Sequence, residues 1–321
     1  MISVVCPFYN EEAIIETSVR EMLDSLSLLD EPWELIVVDD GSTDHSRAIV
    51  QSLAAPEPRL RVIGYGRNEG RGFALRTGFR QARGHLVVTT EIDLSWGADI
   101  VTRIVKELRE YPEIDMVIAS PHLAGGGYRN VPHRRILLSA GGNLIIRAGL
   151  NRRITMNTGM TRGYRRESLV RLPLTEKGKE LHLEIVNKAL AFGYRIHEIP
   201  AVIEWKAHRH QRAAARSRTR ASIPSTIHTH LLFSVLAAPF RYLSVVSGLL
   251  AVLAVAFEVW AFYRLFTHQV AIFLALTGFS IGLFALLVFA VGVLASQNTA
   301  LQKELWSIQA RLIELDDRRG D

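Results

Sequence analysis

Apolar positions along residues 2 to about 120 keep two alternating rhythms. Short continuous apolar runs, Ile2–Phe8, Glu34–Val38, Leu60–Tyr65, His85–Thr90 and Asp115–Ala119, have the length and β-branched content of buried strands. Between them the spacing is helical. Glu11–Leu29 places Ile14, Ile15, Val19, Met22, Leu23 and Leu26 on one face, and Arg71–Ala82 and Ala98–Tyr111 follow the same period. Gly41-Ser42-Thr43 ends the second strand and caps the next helix. Strands alternating with helices of this length predict an α/β domain with a Rossmann-like, mostly parallel sheet built from βαβ units. Strands apolar on both faces, such as Leu35–Val38, predict a sheet covered on both sides.

The pattern changes in the last third. Val270–Ala295 carries no charged residue and exceeds the ~20 residues needed to span a bilayer. Tyr242–Tyr263 is a second long apolar run, interrupted only by Glu258. Trp260, Phe262, Tyr263 and Phe266 gather between the two, as an interfacial aromatic belt would. Two transmembrane helices joined by a turn at Arg264–Gln269 are expected. The arginines before the first, and Lys303, Arg311, Arg318 and Arg319 after the second, predict both ends in the cytoplasm. Beyond them Leu301, Leu305, Ile308, Leu312 and Leu315 form a seam of about two heptads, predicting a short coiled coil and a homo-oligomer, dimer or tetramer. Gly278 and Gly282 add a small-residue pair suited to helix packing.

Four units follow: an α/β domain over 1–205, a basic juxtamembrane segment over 206–241, a transmembrane hairpin over 242–295 and a helical tail over 296–321. Net charge is +6 over 321 residues, and the basic residues concentrate at Arg129–Arg166 and Arg209–Arg220. They point to anionic partners. The second cluster directly precedes the apolar spans, which favours a lipid bilayer surface and not nucleic acid. Cys6, the only cysteine, excludes an intrachain disulfide. Met1 runs straight into the first strand, so no signal peptide is expected.

The polar clusters sit where a parallel sheet binds ligands, beyond the carboxyl ends of its strands. Pro7, Tyr9, Asn10, Glu11 and Glu12 follow the first strand, and Asp39, Asp40, Gly41 and Ser42 the second. Arg67, Asn68 and Gly70 follow the third; Glu91 and Asp93 follow the fourth. Alternate residues of a strand share a face, so Glu91 and Asp93 are expected to point the same way. A pair of like charges calls for a cation, and Mg²⁺ or Mn²⁺ carrying phosphate oxygens suits hard carboxylate ligands. No glycine-rich dinucleotide loop follows the first strand and no phosphate-binding Gly-x-x-x-x-Gly-Lys-Ser/Thr is present, which argues against dehydrogenases and P-loop nucleotidases.

These segments together resemble family 2 inverting glycosyltransferases of the GT-A fold, and among them the polyprenyl-phosphate glycosyltransferases. Val4-Val5-Cys6-Pro7-Phe8-Tyr9-Asn10-Glu11-Glu12 resembles the family's opening strand. Val37-Val38-Asp39-Asp40-Gly41-Ser42-Thr43-Asp44 resembles its nucleotide-binding turn, and Arg67-Asn68-Glu69-Gly70 its third segment. Glu91-Ile92-Asp93-Leu94-Ser95 stands where Asp-Ala-Asp-Leu-Gln is usual. Met156-Asn157-Thr158-Gly159-Met160-Thr161-Arg162 resembles a late segment ending in arginine.

The resemblance implies a nucleotide-diphosphate sugar as donor and polyprenyl phosphate as acceptor. Pro7, Tyr9, Glu11, Asp39, Asp40 and Asn68 would hold the nucleotide. Asp93, helped by Glu91, would bind the metal. Arg129, Arg134, Arg135, Ser139 and Arg162 would face the acceptor phosphate, Arg135 and Ser139 sharing a helix face at i,i+4 spacing. Asp93, Arg135 and Arg162 are the expected catalytic residues. Glu91, Pro121 and Met156 depart from the family's usual residues. Two other functions fit the same pattern: transfer to a polysaccharide or glycolipid, and a non-catalytic membrane scaffold that keeps the fold.

Overall fold

Every position of β1 (Ile2–Phe8) and β2 (Trp33–Asp39) is buried, as their continuous apolar sequences require of strands covered on both faces. The computed structural model describes residues 1–133, 136, 154–205, 239–267 and 272–320, without the side chains of 313, 314 and 316–320. Helices α1 (Ile15–Ser27), α2 (Ser46–Ala54), α3 (Arg71–Gln81) and α4 (Ile100–Glu110) alternate with β3 (Leu60–Gly64), β4 (Leu86–Thr89) and β5 (Met116–Ser120). There follow β6 (Gly127–Arg129), β7 (Arg162–Arg165), α5 (Arg166–Val170), α6 (Leu181–Ala191), β8 (Ile196–Pro200) and β9 (Val202–Glu204). The main sheet has seven strands in the order β3-β2-β1-β4-β7-β5-β8, and β6 pairs with β9 apart from it.

The βαβ order expected from the sequence is therefore present, with element ends shifted by a few residues. All pairings in the main sheet are parallel except those of β7, which runs antiparallel between β4 and β5. Strand β7 has the sequence Arg-Gly-Tyr-Arg, too short and too charged to announce itself. The chain leaves β1 for β2 on one side and returns to β4 on the other. That reversal opens a crevice above the carboxyl end of β1. Phe8, Asp39 and Gly64 end their strands in register beside it. Amphipathic helices close the faces; in α4, Ile100, Val101, Ile104, Val105 and Leu108 all point inward.

The opposite edge of the sheet is fastened by Glu34. Its carboxylate accepts hydrogen bonds from Ser3 Oγ (2.6 Å), the Arg83 amide (2.8 Å) and the Arg61 guanidinium (2.6 Å). Burial opposes its ionisation, but the bonds from Ser3, Arg61 and Arg83 outweigh burial and hold its pKa below the ordinary 4.5.

After residue 238, α7 (Pro239–Phe266) and α8 (Ile272–Gly320) form an antiparallel hairpin. Both are long and apolar enough to cross a membrane. Small residues set their contact, as in membrane helix pairs. Ser247 Oγ donates to the Ala285 carbonyl at 2.8 Å, and Gly278 lies against Ala254 and Glu258. The compositional boundary at 295/296 marks no break, since α8 runs on for 49 residues. The leucine seam of its distal part is exposed. The basic segment over 206–238 lies outside the described residues.

Because the pKa of Glu34 is depressed on folding, its stabilisation is complete above about pH 4.5 and fades as pH falls through the folded-state value. Glu34→Gln is expected to cost about 2 kcal/mol at pH 7. In thermal melts the gap from the wild type should narrow at pH 4.

Candidate active site

Beyond β1 and β2 the two loops are laced together by short polar side chains. The Asn10 amide donates to Ser42 Oγ (3.0 Å), Thr43 N–H to Asn10 Oδ1 (2.8 Å), Glu11 N–H to Ser46 Oγ (2.8 Å) and Glu12 N–H to Asp44 Oδ2 (3.1 Å). Asn10 takes φ 53°, a left-handed conformation asparagine tolerates. Gly41 has φ 72°, and a Cβ there would lie 2.4 Å from the Arg67 carbonyl carbon. Only glycine fits that turn.

Within this frame the two aspartates part company. Asp39 is buried, and its Oδ1 accepts the Ser42 amide at 2.9 Å. Its Oδ2 is buried with no hydrogen bond; the Arg47 guanidinium stands 3.6 Å away. Asp40 is saturated. Its Oδ1 accepts Tyr65 Oη–H (2.7 Å) and the Glu69 and Gly70 amides (3.0 Å each), and its Oδ2 accepts Asn68 Nδ2 (3.1 Å). Burial, and then the Asp40 hydrogen bond and charge, raise the Tyr65 pKa far above its ordinary 10, so the phenol stays a donor. Asp40 and Asn68, expected to hold a nucleotide, hold the 67–70 turn shut.

The carboxylates after β4 are also arranged differently from the expectation. Strand β4 ends at Thr89, so pleating does not align Glu91 and Asp93; a turn does, with Leu94 at φ 50°. Ser95 joins the pair, its Oγ donating to Glu91 Oε2 at 2.9 Å and its amide to Asp93 Oδ1 at 3.0 Å. A short side chain at this position is what allows the bridge, a role the sequence did not suggest. Burial first, and then the charges of Asp93, Glu91 and Glu11, hold the Cys6 thiol pKa well above 9.0. Glu11 follows β1 itself, and Glu91 and Asp93 follow β4, its neighbour in the sheet. Tyr9 stands 41% exposed at the rim, and Pro7 is buried within β1 opposite Val38.

Arg162 requires a correction. It was expected to face a phosphate, but it begins the central strand β7 and is fully buried. Its guanidinium donates to the carbonyls of His182 (2.8 Å) and Asn157 (2.6 Å), joining two backbone segments. Burial lowers its pKa, with Tyr164 and Glu198 acting in the opposite direction. Burial and then the charge of Arg162 drive the His182 pKa well below 6.5, leaving that ring neutral. Arg129 is exposed and 3.6 Å from Glu204. Arg134, Arg135 and Ser139 lie outside the described residues. Glu198 of β8, which sequence reasoning missed, accepts the Thr155 and Met156 amides at 2.8 Å each and ties that segment to the sheet.

Residues 3–172 match the sequence model of glycosyl transferase family 2. The chain belongs to that family. The glycosyltransferase is 28% identical over 259 residues to the undecaprenyl-phosphate 4-deoxy-4-formamido-L-arabinose transferase of Shewanella sediminis, covering 80% of this chain and 73% of that one. To the transferase of the same name from Pectobacterium carotovorum it is 32% identical over 51% of this chain, a match that spans about half (49%) of the relative. Its fold is GT-A-like. Glucosyl-3-phosphoglycerate synthase from Mycobacterium tuberculosis, in complex with Mn²⁺, uridine diphosphate and glucosyl-3-phosphoglycerate, superposes with a TM-score of 0.51 and 25% identity. That superposition covers 72% of this chain and 80% of the synthase.

Among the described residues, no three His, Cys, Asp or Glu side chains gather closely enough to hold a metal by themselves. A Mg²⁺ or Mn²⁺ ion that completes its shell with phosphate oxygens and water needs only one or two carboxylates. The joined pair of Asp93 and Glu91 has the donor chemistry for that. Asp40→Ala, which would strand four donors of the glycosyltransferase, is expected to cost about 3 kcal/mol and to loosen the 67–70 turn. Thermal melting and hydrogen exchange of the Glu69 and Gly70 amides would check both.

Proposed function

We propose that this glycosyltransferase moves a sugar from a UDP- or GDP-sugar to polyprenyl phosphate, with inversion at the sugar. The observation that carries the proposal is the placing of carboxylates beyond adjacent strands: Asp39 ends β2 beside Phe8 of β1, and Glu91 and Asp93, joined through Ser95, follow β4 on the other side of β1. Asp39 Oδ2, buried without a hydrogen bond, is suited to accept one from the nucleoside. Tyr9 at the rim and Pro7 beneath it would border the base. Asp93, with Glu91, would hold Mg²⁺ or Mn²⁺. The ion, when bound, would neutralise the departing diphosphate as a Lewis acid.

The acceptor is inferred from the relatives named as undecaprenyl-phosphate transferases and from the apolar hairpin. A phosphate is already anionic at neutral pH, so its attack needs alignment and positive charge, with no strong general base. Arg134, Arg135 and Ser139, with Arg129 at the rim, are the proposed phosphate-facing residues. Arg162 would serve the reaction only by fixing the backbone at Asn157 and His182. On this proposal α7 and α8 cross the inner membrane, and the catalytic domain lies on its cytosolic face. The exposed seam from Leu301 to Leu315 would pair with other copies of the chain.

Full-length protein incubated with Mn²⁺, a panel of UDP- and GDP-sugars and undecaprenyl phosphate should form a lipid-linked sugar. Asp93→Asn should lower the rate by about a hundredfold or more, whereas Glu91→Asp should retain transfer. Full activity in Asp93→Asn would overturn the metal assignment. A folded protein that neither binds nor turns over any donor in the panel would sink the proposal as a whole.

A further inference from the structure

Glu184 and Lys188 form an ion pair one turn apart on α6, 2.6 Å from carboxylate to ammonium. Both are buried, with 7% and 3% of their surface exposed. Their remaining bonds reach the loop that precedes α6. Glu184 accepts the Thr175 amide (2.9 Å), Thr175 Oγ1–H (2.8 Å) and the Glu176 amide (2.9 Å). Lys188 donates to the Pro173 carbonyl. The pair therefore grips residues 173–176 by their backbone. A buried ion pair is a poor source of stability, since apolar residues of similar volume often do as well. What this one supplies is a defined shape for the loop.

The next residues of that loop form the outer wall of the 67–72 turn. The Lys177 carbonyl accepts the Phe73 amide at 3.0 Å, and Lys177 Nζ pairs with Glu69 at 2.8 Å. Arg76 donates to the Thr175 carbonyl at 2.6 Å. The contact is backbone against backbone. A Cβ on Gly72 would lie 2.5 Å from the Gly178 carbonyl oxygen, and one on Gly70 would lie 2.6 Å from that of Lys177. The turn so supported is the one whose Glu69 and Gly70 amides close on Asp40.

A contact from a remote part of the chain completes the arrangement. Lys188 Nζ lies 4.9 Å from the centre of the Trp306 ring on the distal part of α8. An indole face attracts the ammonium and keeps water from the pair. Trp306 and Ala310 are half-buried, while Leu301, Leu305, Ile308 and Leu312 on the same helix are exposed. The helix therefore leans on α6 with one face and leaves its leucine seam free.

We infer that Trp306, acting through the Glu184–Lys188 pair, is a positioning residue for the nucleotide-sugar donor: docking of α8 on α6 holds the 173–178 loop against the turn that closes the donor site. The inference rests on the donor-site assignment proposed above. It predicts an effect confined to one substrate. In full-length protein, Trp306→Ala should raise the donor KM about three- to tenfold and leave the acceptor KM and the melting temperature unchanged. Trp306→Phe, which keeps an aromatic face under Lys188, should restore the donor KM to within about twofold of wild type.

Direct titration of wild type and Trp306→Ala with the UDP- or GDP-sugar that supports turnover separates the two levels of the proposal. If wild type binds a donor and Trp306→Ala binds it equally well, the positioning role fails and the donor site stands. A parallel rise of donor and acceptor KM also overturns the role, because a general loosening of the fold would move both. If wild type binds no donor, both assignments fall.

Discussion

One buried carboxylate, that of Asp40, sets the geometry on which the crevice depends. Asp40 follows the end of β2, donates its backbone amide to the Phe8 carbonyl, and accepts at its carboxylate from Tyr65, Asn68, Glu69 and Gly70. The ends of β1, β2 and β3 are thus tied through one residue whose charge lies almost out of reach of water. A charge so placed is tolerable only when its lone pairs are filled. The need to fill them shapes the 67–70 turn, and the 173–178 loop packs on that turn in its place. Asp39, one residue earlier, is left with a buried oxygen that the protein does not hydrogen-bond. Adjacent aspartates thus differ, one with its lone pairs filled by the 65–70 segment and the other with an oxygen left over.

The same separation holds across the sheet. Glu34 fastens the edge where the strands begin, using bonds that are internal and complete. At the other end, Asp39 ends β2 with Arg47 3.6 Å away, and Glu91 and Asp93 follow β4, joined through Ser95. Like charges collected at strand ends oppose folding unless a ligand offsets them. Membership of glycosyl transferase family 2 fits this division, because a parallel sheet with one free carboxyl edge can accept different sugars and acceptors by changing loops alone.

Much of this was legible from residue order. The parallel βαβ run, the four polar clusters beyond its strands and the two apolar helices all follow from local periodicity. Strand β7 was not legible, because four residues with two arginines carry no β signal; its place is fixed by neighbours distant in sequence. For the same reason Arg162 misled. Its chemistry suits phosphate, but its position in the centre of a sheet turns it toward carbonyls. Glu91 and Asp93 were found by their spacing, yet a turn and Ser95 bring them together where a pleat was expected. Lys188 and Trp306 could not have been paired from sequence, since each belongs to an ordinary amphipathic stretch and only tertiary packing joins them.

The unbroken course of α8 has a geometric consequence. At a 1.5 Å rise, its 49 residues make a rod of roughly 74 Å. Trp306 stands roughly 16 Å along it from Ala295, where the apolar part ends. A rigid rod fixes height and also rotation, because each residue turns the helix by about 100°. The height of the α/β domain above the apolar part of α8, and the bearing of one on the other, are thus set by residue count between Ala295 and Trp306. The helix is a spacer with a phase. Adding or removing one residue there would swing the domain around the axis by about 100° relative to the apolar part of α8.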